Sequence, residues 1–223
     1  MKIFKNREEA GKLLAEKIKN LNLKIEDTVI LAIPRGGVPV AYQISKITKI
    51  PFSLVIVKKL TLPEDPELAI GAIAPDETYV VDPMYFGRVS QGDTLEKIKQ
   101  EALKEIEERI NKYLNGKVPD VKDKNVIVVD DGLATGYTAL VAGLYLRNIG
   151  AKRLILAVPV APSDSISRAY KVYETVVVYE RVNTPFFAVG AYYQDFHQLT
   201  DSEMFLYLEK AKNEKLFYQE EKE

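Results

Sequence analysis

Short, unbroken apolar runs that alternate with helical segments constrain the fold of this chain more than any other feature of its sequence. The runs are rich in β-branched residues, as expected for strands buried on both faces of a parallel sheet. They are 28–33 (TVILAI), 52–57 (FSLVIV), 126–129 (VIVV), 154–158 (LILAV) and 175–179 (TVVVY). Parallel strands need crossover connections, which the helical segments supply. The pattern therefore predicts an α/β fold with a doubly wound, mainly parallel, five-stranded sheet.

Helical spacing of apolar residues accounts for much of the remaining sequence. A capping-box pattern, Asn6 followed by Glu9, opens the first helix. The predicted helices are 7–20, 38–46, a segment ending near 148, 93–114, 163–170 and 201–218. In the long helix at 93–114, the charged face is read as a solvated surface.

The chain of 223 residues has the length of one large domain, and we assign residues 1–223 to it. Residues 58–115 are predicted to form a loop and helix insertion, because four prolines interrupt the pattern before position 91. Within it, 69–74 and 79–81 are expected to form a short hairpin. Residues 183–223 are predicted to form a C-terminal hood and helix.

Composition excludes several classes of function. With 31 Lys and Arg against 32 Asp and Glu, the chain lacks the basic surface that attracts nucleic acid. Zero Cys and a single His, His197, exclude thiolate chemistry and multi-histidine metal sites. The apolar runs are too short to span a bilayer, and the charged N-terminus does not resemble a signal peptide. We therefore expect a cytoplasmic protein with no nucleic-acid or membrane partner.

The segment VIVVDDGLATGYT, residues 126–138, carries most of the chemical information. Asp130 and Asp131 follow a buried strand, at the sheet edge where ligands of open α/β sheets bind. Residues 134–138 then lead into a helix whose unpaired amides favour an anion. A second glycine loop, 34–37, follows another strand and contains Arg35, whose guanidinium can bind an anion bidentately. Two anion loops with carboxylates between them indicate a ligand with two phosphate groups flanking a polyol.

Two common nucleotide motifs are missing from the sequence. It contains neither G-x-x-x-x-G-K-[ST] nor G-x-G-x-x-G. Nucleotide hydrolases and dinucleotide dehydrogenases are therefore disfavoured.

VIVVDDGLATGYT resembles the thirteen-residue signature of the type I phosphoribosyltransferases, which bind phosphoribosyl pyrophosphate (PRPP). AIPRGGVPVA, VKKLTLPEDPELAIGAIA and FFAVGAYYQDFHQLTDSE are similar to one little-characterised subgroup of that family, so the resemblance covers most of the chain. It implies that Asp130 and Asp131 bind the ribose hydroxyls. It further implies a 5′-phosphate site at Ala134, Thr135, Gly136, Tyr137 and Thr138, and a pyrophosphate site at Arg35, Gly36, Gly37 and Lys59.

The resemblance also implies a reaction in which an acceptor nitrogen attacks C1 of PRPP as pyrophosphate leaves. Asp130, Asp131 and Lys59 are then the expected catalytic residues. Mg²⁺ is the implied cofactor, and the two aspartates would reach it indirectly, through ribose or water. Lys59 precedes a segment that resembles the family's mobile loop. The implied partners are PRPP, a nucleobase or its nucleoside monophosphate, and by analogy a second copy of the chain in a homodimer.

The acceptor is read from residues 187–195, which are similar to the purine-site strand of hypoxanthine-guanine enzymes. The similarity implies that Phe187 stacks on a base, that the Val189 backbone reads its edge and that Asp195 accepts a hydrogen bond from a ring nitrogen. An equally weighted alternative is that these aromatic residues simply cover the sheet. Ala134 replaces the aspartate that those enzymes use as a proton acceptor, which favours adenine slightly among the purines.

Two other functions are compatible with the sequence. One is a regulator that binds PRPP or a nucleotide without turnover, and the other is a transferase acting on a non-base acceptor. His197 is a candidate base, although a lone histidine near a chain end is more commonly a surface residue.

Overall fold

The computed structural model describes residues 3–184 and 186–218. The predicted domain, 1–223, and hood, 183–223, also include residues 1–2, 185 and 219–223, which lie outside the described part. The elements are α1 (Arg7–Lys19), β1 (Thr28–Ala32), α2 (Gly37–Thr48), β2 (Phe52–Leu54), β3 (Lys58–Leu62), β4 (Asp65–Ile73), β5 (Tyr79–Val81), α3 (Pro83–Val89), α4 (Thr94–Leu114), β6 (Asn125–Val129), α5 (Tyr137–Asn148), β7 (Arg153–Pro162), α6 (Ser163–Ala169), β8 (Thr175–Val182) and α7 (Asp201–Asn213).

The main sheet has five parallel strands in the order β2-β1-β6-β7-β8, which confirms the predicted fold class. Successive residues of each strand point to opposite faces. Ile30 and Ile127 join a core with α1, α2, α4 and α7, whereas Val29 and Val126 join a second core with α5 and α6. The unbroken apolar runs are therefore explained by helices that cover both faces.

The strand order places a crevice between β1 and β6. From β1 the chain passes through α2 to β2 on one side, and from β6 it passes through α5 to β7 on the other. Because the two connections leave in opposite directions, the carboxyl ends of β1 and β6 open a gap where ligands of such sheets bind.

The insertion contains a second, antiparallel sheet of order β3-β4-β5. The predicted hairpin is confirmed by the pairing of Gly71 with Val81 and of Ile73 with Tyr79. Strand β3 was not predicted, because two adjacent lysines mask the alternation that buries Leu60 and Leu62. The predicted strand at 52–57 is too long: β2 ends at Leu54, and the buried residues 55–57 connect the two sheets.

The C-terminal helix is shorter than predicted and ends at Asn213 rather than 218. Leu216 is buried because the chain turns back to the edge of the main sheet. There Phe52 N donates to Leu216 O at 2.8 Å and Tyr218 N donates to Phe52 O at 2.8 Å. Among the described residues, no helix is both long enough and apolar enough to cross a membrane.

Candidate functional site

A cleft of about 450 Å³ opens at the gap between the carboxyl ends of β1 and β6. Both loops singled out in the sequence contribute to its wall. Of the predicted site residues, the cleft brings together Arg35, Gly36, Lys59, Asp130, Asp131 and Thr138. These residues come from three loops or strands that are far apart in sequence, and the sheet order brings them to one place.

The two carboxylates are held by a network that fixes both side chain and backbone. Asp131 N donates to Asp130 Oδ1 at 2.8 Å. Arg7 Nε donates to Asp131 Oδ2 at 2.8 Å, and the two side chains are 9 % and 14 % exposed. The hydroxyl of Tyr193 donates to the backbone carbonyl of Asp131 at 2.6 Å. Asp131 thus has defined partners before any ligand binds.

Burial dominates the electrostatics of this pair. Burial and the neighbouring charge of Asp131 raise the pKa of Asp130 well above its usual range. Burial also raises the pKa of Asp131, against the opposing effect of the Arg7 guanidinium. The positive charge of Lys59 acts on the pKa of both carboxyls in the opposite direction. Cations beside the pair therefore favour its ionised form.

The loop 34–37 needs glycine at two positions because its backbone closely approaches the end of β6 and the carboxylate that follows it. A Cβ atom on Gly36 would lie 2.1 Å from Asp131 Oδ2. A Cβ atom on Gly37 would lie 2.5 Å from the carbonyl oxygen of Val129. The peptide bond between Pro34 and Arg35 is cis. The loop 34–37 and the Asp131 carboxylate are thus in contact, so one ligand can reach both.

Arg35 is engaged by an acid from the C-terminal helix. Its Nη1 lies 3.3 Å from Oδ1 of Asp201, the first residue of α7. Asp201 also binds Lys112 and accepts a hydrogen bond from the Tyr113 hydroxyl at 2.6 Å. These hydrogen bonds, that of Lys112 foremost, lower the pKa of Asp201 to about 2. The insertion helix α4 and helix α7 therefore meet at the side chain of Arg35.

Residues 134–138 form the turn into α5, with Gly136 at a φ of 81°. Ala134 and Thr135 are exposed, and Thr138 faces the cleft. The Tyr137 side chain instead points to the insertion, where its hydroxyl donates to Asp82 Oδ2 at 2.5 Å. Burial and that hydrogen bond raise the pKa of Tyr137 to about 12. Of this loop, backbone amides and Thr138 are the groups placed to hold an anion.

Arg168 of α6 supports the same loop from outside. It donates to the carbonyl oxygen of Thr135, and its guanidinium carbon lies 4.9 Å from the centre of the Tyr137 ring. Ser165 donates to the carbonyl oxygen of Ala134. The loop is thus restrained by side chains that bind its carbonyl oxygens and not its amides.

The predicted base contacts lie on the C-terminal segment but line no part of this cleft's wall. Phe187 stacks on Tyr192 with ring centres 5.4 Å apart. The Val189 side chain packs against Gly132. Asp195 Oδ1 lies 2.8 Å from Nδ1 of His197, in an adjacent cavity of about 250 Å³. The segment forms a short 3-10 turn at Val189–Tyr192 rather than the strand that the similarity implied.

The structure adds cleft residues that the sequence analysis missed: Arg7, Arg109, Phe196 and Gln198. Arg7 was treated as the start of an amphipathic helix, and Arg109 as part of a solvated helix face. No sequence signal marks Arg7, because its partner Asp131 is 124 positions away. Phe196 and Gln198 directly follow the segment read as the purine site, so proximity to it was the one available signal.

The carboxylate pair fits a weakly held hard cation and not a protein-built metal cage. Among the described residues there is no cluster of three or more His, Cys, Asp or Glu side chains suited to hold a metal ion. Mg²⁺ commonly keeps several waters and binds through one or two carboxylates together with substrate phosphates. Asp130 and Asp131 supply carboxylates of that kind beside the glycine loop 34–37.

Comparison with known proteins identifies relatives of the chain. The model of the phosphoribosyl transferase domain family matches residues 2–195. Relatives from two strains of Mycobacterium tuberculosis, each named "Putative phosphoribosyl transferase", are 36% identical over 214 residues, which is 95% of this chain and 47% of the relative. The chain therefore spans about half the length of the curated relatives it matches.

One solved structure shares the fold over nearly the whole chain. The crystal structure of TT1426 from Thermus thermophilus has 33% sequence identity and a TM-score of 0.76, over 94% of this chain and 99% of that chain. A purine phosphoribosyltransferase from Pyrococcus horikoshii has 20% identity and a TM-score of 0.45, over 81% of this chain and 88% of that chain. A likeness at that second level carries no argument about substrate.

Proposed function

The chain belongs to the phosphoribosyl transferase family, and from that premise we propose that it transfers the 5-phosphoribosyl group of PRPP to a nucleobase and releases pyrophosphate. The proposed base is a purine, and adenine is favoured slightly because Ala134 offers no carboxylate in the loop. The observation that carries the proposal is the single cleft in which Arg35, the carboxylate pair and Thr138 share one wall. We further propose a cytoplasmic homodimer.

The proposed binding mode assigns each part of PRPP to one set of groups. The 5′-phosphate binds the amides that open α5 and the Thr138 hydroxyl. The ribose hydroxyls bind Asp130 and Asp131. The pyrophosphate binds the backbone of Gly36 and Gly37, with Arg35 and Lys59 as cations. The ligand then spans the cleft with its C1 atom near the carboxylates.

In the proposed reaction, the bond from C1 to the acceptor nitrogen forms while the bond from C1 to the pyrophosphate oxygen breaks. Positive charge develops on the ribose ring, and Asp130 and Asp131 lie beside it. Negative charge develops on the leaving group, and Arg35 and Lys59 stabilise it. Mg²⁺, when bound, would supply further charge neutralisation at the pyrophosphate, with the two aspartates reaching it through ribose or water.

We propose that the base binds at the segment 187–198. Phe187, Val189 and Asp195 are its proposed contacts, and the same segment carries Phe196 and Gln198 into the cleft. His197 engages Oδ1 of Asp195 at 2.8 Å, so the proposed base contact of that carboxylate is through Oδ2. The amide of Gln198 offers both a donor and an acceptor to a base edge.

A second candidate is a regulator that binds PRPP or a nucleotide without turnover. One ion pair favours it, that of Arg35 with Asp201, because it occupies a guanidinium that the ligand needs. Ligand binding would rearrange this pair and so change the contacts of α7. Transfer to a non-base acceptor uses the same PRPP site.

The experiment that tests the proposal follows products directly. The protein is incubated with PRPP, Mg²⁺ and a panel of purine and pyrimidine bases, and pyrophosphate and nucleoside monophosphate are quantified. Base-dependent formation of both products is expected, with adenine the best acceptor. PRPP binding without base-dependent product would favour the regulator, and absence of PRPP binding would overturn the transferase.

A matched pair of variants tests the ribose contact. We expect Asp131→Asn to weaken PRPP binding by about 10- to 100-fold, because a hydrogen bond to a charged group contributes about 1.5–3 kcal/mol. Asp123→Asn makes the same chemical change at an exposed turn and should behave as the unmodified protein. Unchanged PRPP affinity of Asp131→Asn would contradict the assignment.

A further inference from the structure

Arg7 is an arginine buried at the wall of the cleft. It is the first residue of α1, and only 8 % of its surface is exposed. Charged side chains are rarely buried at this level unless they are paired, because water is lost from the charge. The contacts that offset the desolvation of the Arg7 guanidinium therefore indicate the role of this residue.

Those contacts join the ribose carboxylate to the C-terminal segment. Arg7 Nε donates to Asp131 Oδ2 at 2.8 Å, and Nη1 donates to the backbone carbonyl of His197 at 2.9 Å. The guanidinium carbon lies 4.1 Å from the centre of the Phe196 ring. One planar group thus binds a carboxylate, a carbonyl and an aromatic ring at the same time, which arginine does and lysine does not.

The contacts close into a ring around Asp131. Phe196 stacks on Tyr193 with ring centres 5.0 Å apart. Tyr193 in turn donates its hydroxyl to the Asp131 carbonyl at 2.6 Å. Arg7 therefore fixes the side chain of Asp131, while Tyr193 fixes its backbone. Arg7 engages Oδ2 of Asp131, and the other carboxylate oxygen, Oδ1, takes no part in that ion pair.

We propose that Arg7 is a positioning residue for the ribose of PRPP, which orients Asp131 for the ribose hydroxyls and ties it to residues 193–197. This inference rests on the proposed function and adds to it a residue from outside the signature loops. Arg7 acts on the ribose site through Asp131. The pyrophosphate loop touches Asp131 at Gly36, but its backbone is held by contacts that do not involve Arg7: Gly37 N donates to Ile33 O at 3.0 Å, and Val38 N donates to Arg35 O at 3.1 Å. Loss of Arg7 should therefore affect ligands that contain ribose and spare pyrophosphate.

The first test compares two ligands by titration calorimetry in the presence of Mg²⁺. Arg7→Gln should weaken PRPP binding about tenfold or more, while the affinity for inorganic pyrophosphate changes less than about twofold. Arg7→Lys keeps the positive charge but not the planar guanidinium with its several donors, so it should bind PRPP with intermediate affinity. Lys12→Gln removes a positive charge from an exposed position of the same helix and should match the unmodified protein.

The second test asks whether Arg7 acts through Asp131. In an Asp131→Asn background, Arg7→Gln should change the PRPP dissociation constant by less than about twofold, because the group that it positions is already altered. Melting temperatures of all variants confirm that the folded proteins are compared.

Each result decides a separate point. Equal losses of PRPP and pyrophosphate binding in Arg7→Gln would overturn the inference in favour of a general structural role. Unchanged PRPP binding in Arg7→Gln, or full additivity with Asp131→Asn, would overturn it as well. If Arg7→Gln does not fold, Arg7→Lys with PRPP affinity equal to that of the unmodified protein overturns it. Absence of PRPP binding by the unmodified protein would instead refute the proposed function on which it rests.

Discussion

At Gly36 the site has no room for one additional methyl group. A Cβ atom there would lie 2.1 Å from Oδ2 and 2.7 Å from Cγ of Asp131, and a carboxylate paired with Arg7 cannot move freely. We expect Gly36→Ala to displace Asp131 and to weaken PRPP binding about tenfold or more, as measured by calorimetry. Gly87→Ala is the control, because no atom lies within 4 Å of its Cβ position in α3. That variant should gain about 0.5–1 kcal/mol in free energy of unfolding, because alanine is more stable than glycine within a helix. Normal PRPP binding by Gly36→Ala would contradict the close approach.

The acid Asp201 gives a residue-scale prediction for pH. Its pKa is lowered to about 2 by Lys112, Tyr113 and Arg35. A lowered pKa in the folded state stabilises the fold above the ordinary pKa of about 4, and this contribution is lost as the pH falls towards about 2. The difference in free energy of unfolding between the unmodified protein and Asp201→Asn should therefore be larger at about pH 5 than at about pH 2.5. Urea titrations at both values measure it, and a difference independent of pH would show that the charge of Asp201 contributes nothing.

Single residues also show where sequence reasoning reaches its limit in the site. Asp130, Asp131 and Arg35 were placed from local motifs, since each follows a buried strand at the sheet edge where ligands bind. Arg7 could not be, because a helix-opening arginine has the same local pattern whether it faces solvent or a carboxylate 124 positions away. For Asp195, the sequence indicated a base contact but not its ion pair with His197, which the structure shows and which depends on the turn between the two residues.

Among elements, the insertion shows why a sequence pattern can hide a strand. Leu60 and Leu62 alternate with partly or fully exposed residues, but the preceding lysine pair and the irregular register at Thr61 break the period. The pairing of β4 with β5 was predictable because their apolar residues are contiguous. The end of α7 was not, because Leu216 keeps an apolar position that fits either a helix or a return to the sheet. Tertiary contacts decide such cases.

The hydrogen bond between Tyr137 and Asp82 joins the insertion to the start of α5, and it yields a prediction at this scale. Tyr137→Phe removes the hydroxyl and keeps the ring below Arg168. We expect a loss of about 1 kcal/mol in the free energy of unfolding, measured in urea. PRPP affinity should change by less than about twofold, because the side chain points away from the cleft.

The matched control for that variant is Tyr170→Phe, whose side chain is exposed, and we expect it to leave stability unchanged. Combining Tyr137→Phe with Asp82→Asn should cost little more than either substitution alone, since both remove the hydrogen bond from Tyr137 to the Asp82 carboxylate, while the amide oxygen of Asn can still accept from Met84 N. Full additivity would show that the two groups act independently.

For the molecule as a whole, the parallel sheet was the most predictable feature. Strands covered by helices on both faces must be apolar throughout, and that requirement is visible in the sequence without knowledge of any contact. The position of the cleft followed from strand order, because β1 and β6 diverge there. The arrangement of the C-terminal segment was not predictable, since it depends on Phe4, Arg7 and Asp131 from distant parts of the chain.

The amino ends of the strands lie at the opposite end of the same sheet, where the C-terminal residues pack. Residues 216–218 pair with Phe52 at the edge of β2 and bury Leu216. Glu214 accepts a hydrogen bond from Tyr42 at 2.8 Å. These contacts cover an edge strand that would otherwise present unpaired backbone groups. They lie away from the cleft, which is at the carboxyl ends.

We therefore expect a chain that ends after Asn213 to lose stability and to retain its site. Loss of Leu216 burial and of the hydrogen bonds to Phe52 and Tyr42 should lower the free energy of unfolding by about 3 kcal/mol or more. A chain that ends after Tyr218 keeps these contacts and is the control. PRPP affinity of the folded shorter chain, measured at a temperature well below its transition, should stay within about twofold, because residues 214–218, the removed part that the structure describes, do not border the cleft. A loss of affinity that exceeds this, at unchanged fold, would mean that the two ends of the sheet are coupled.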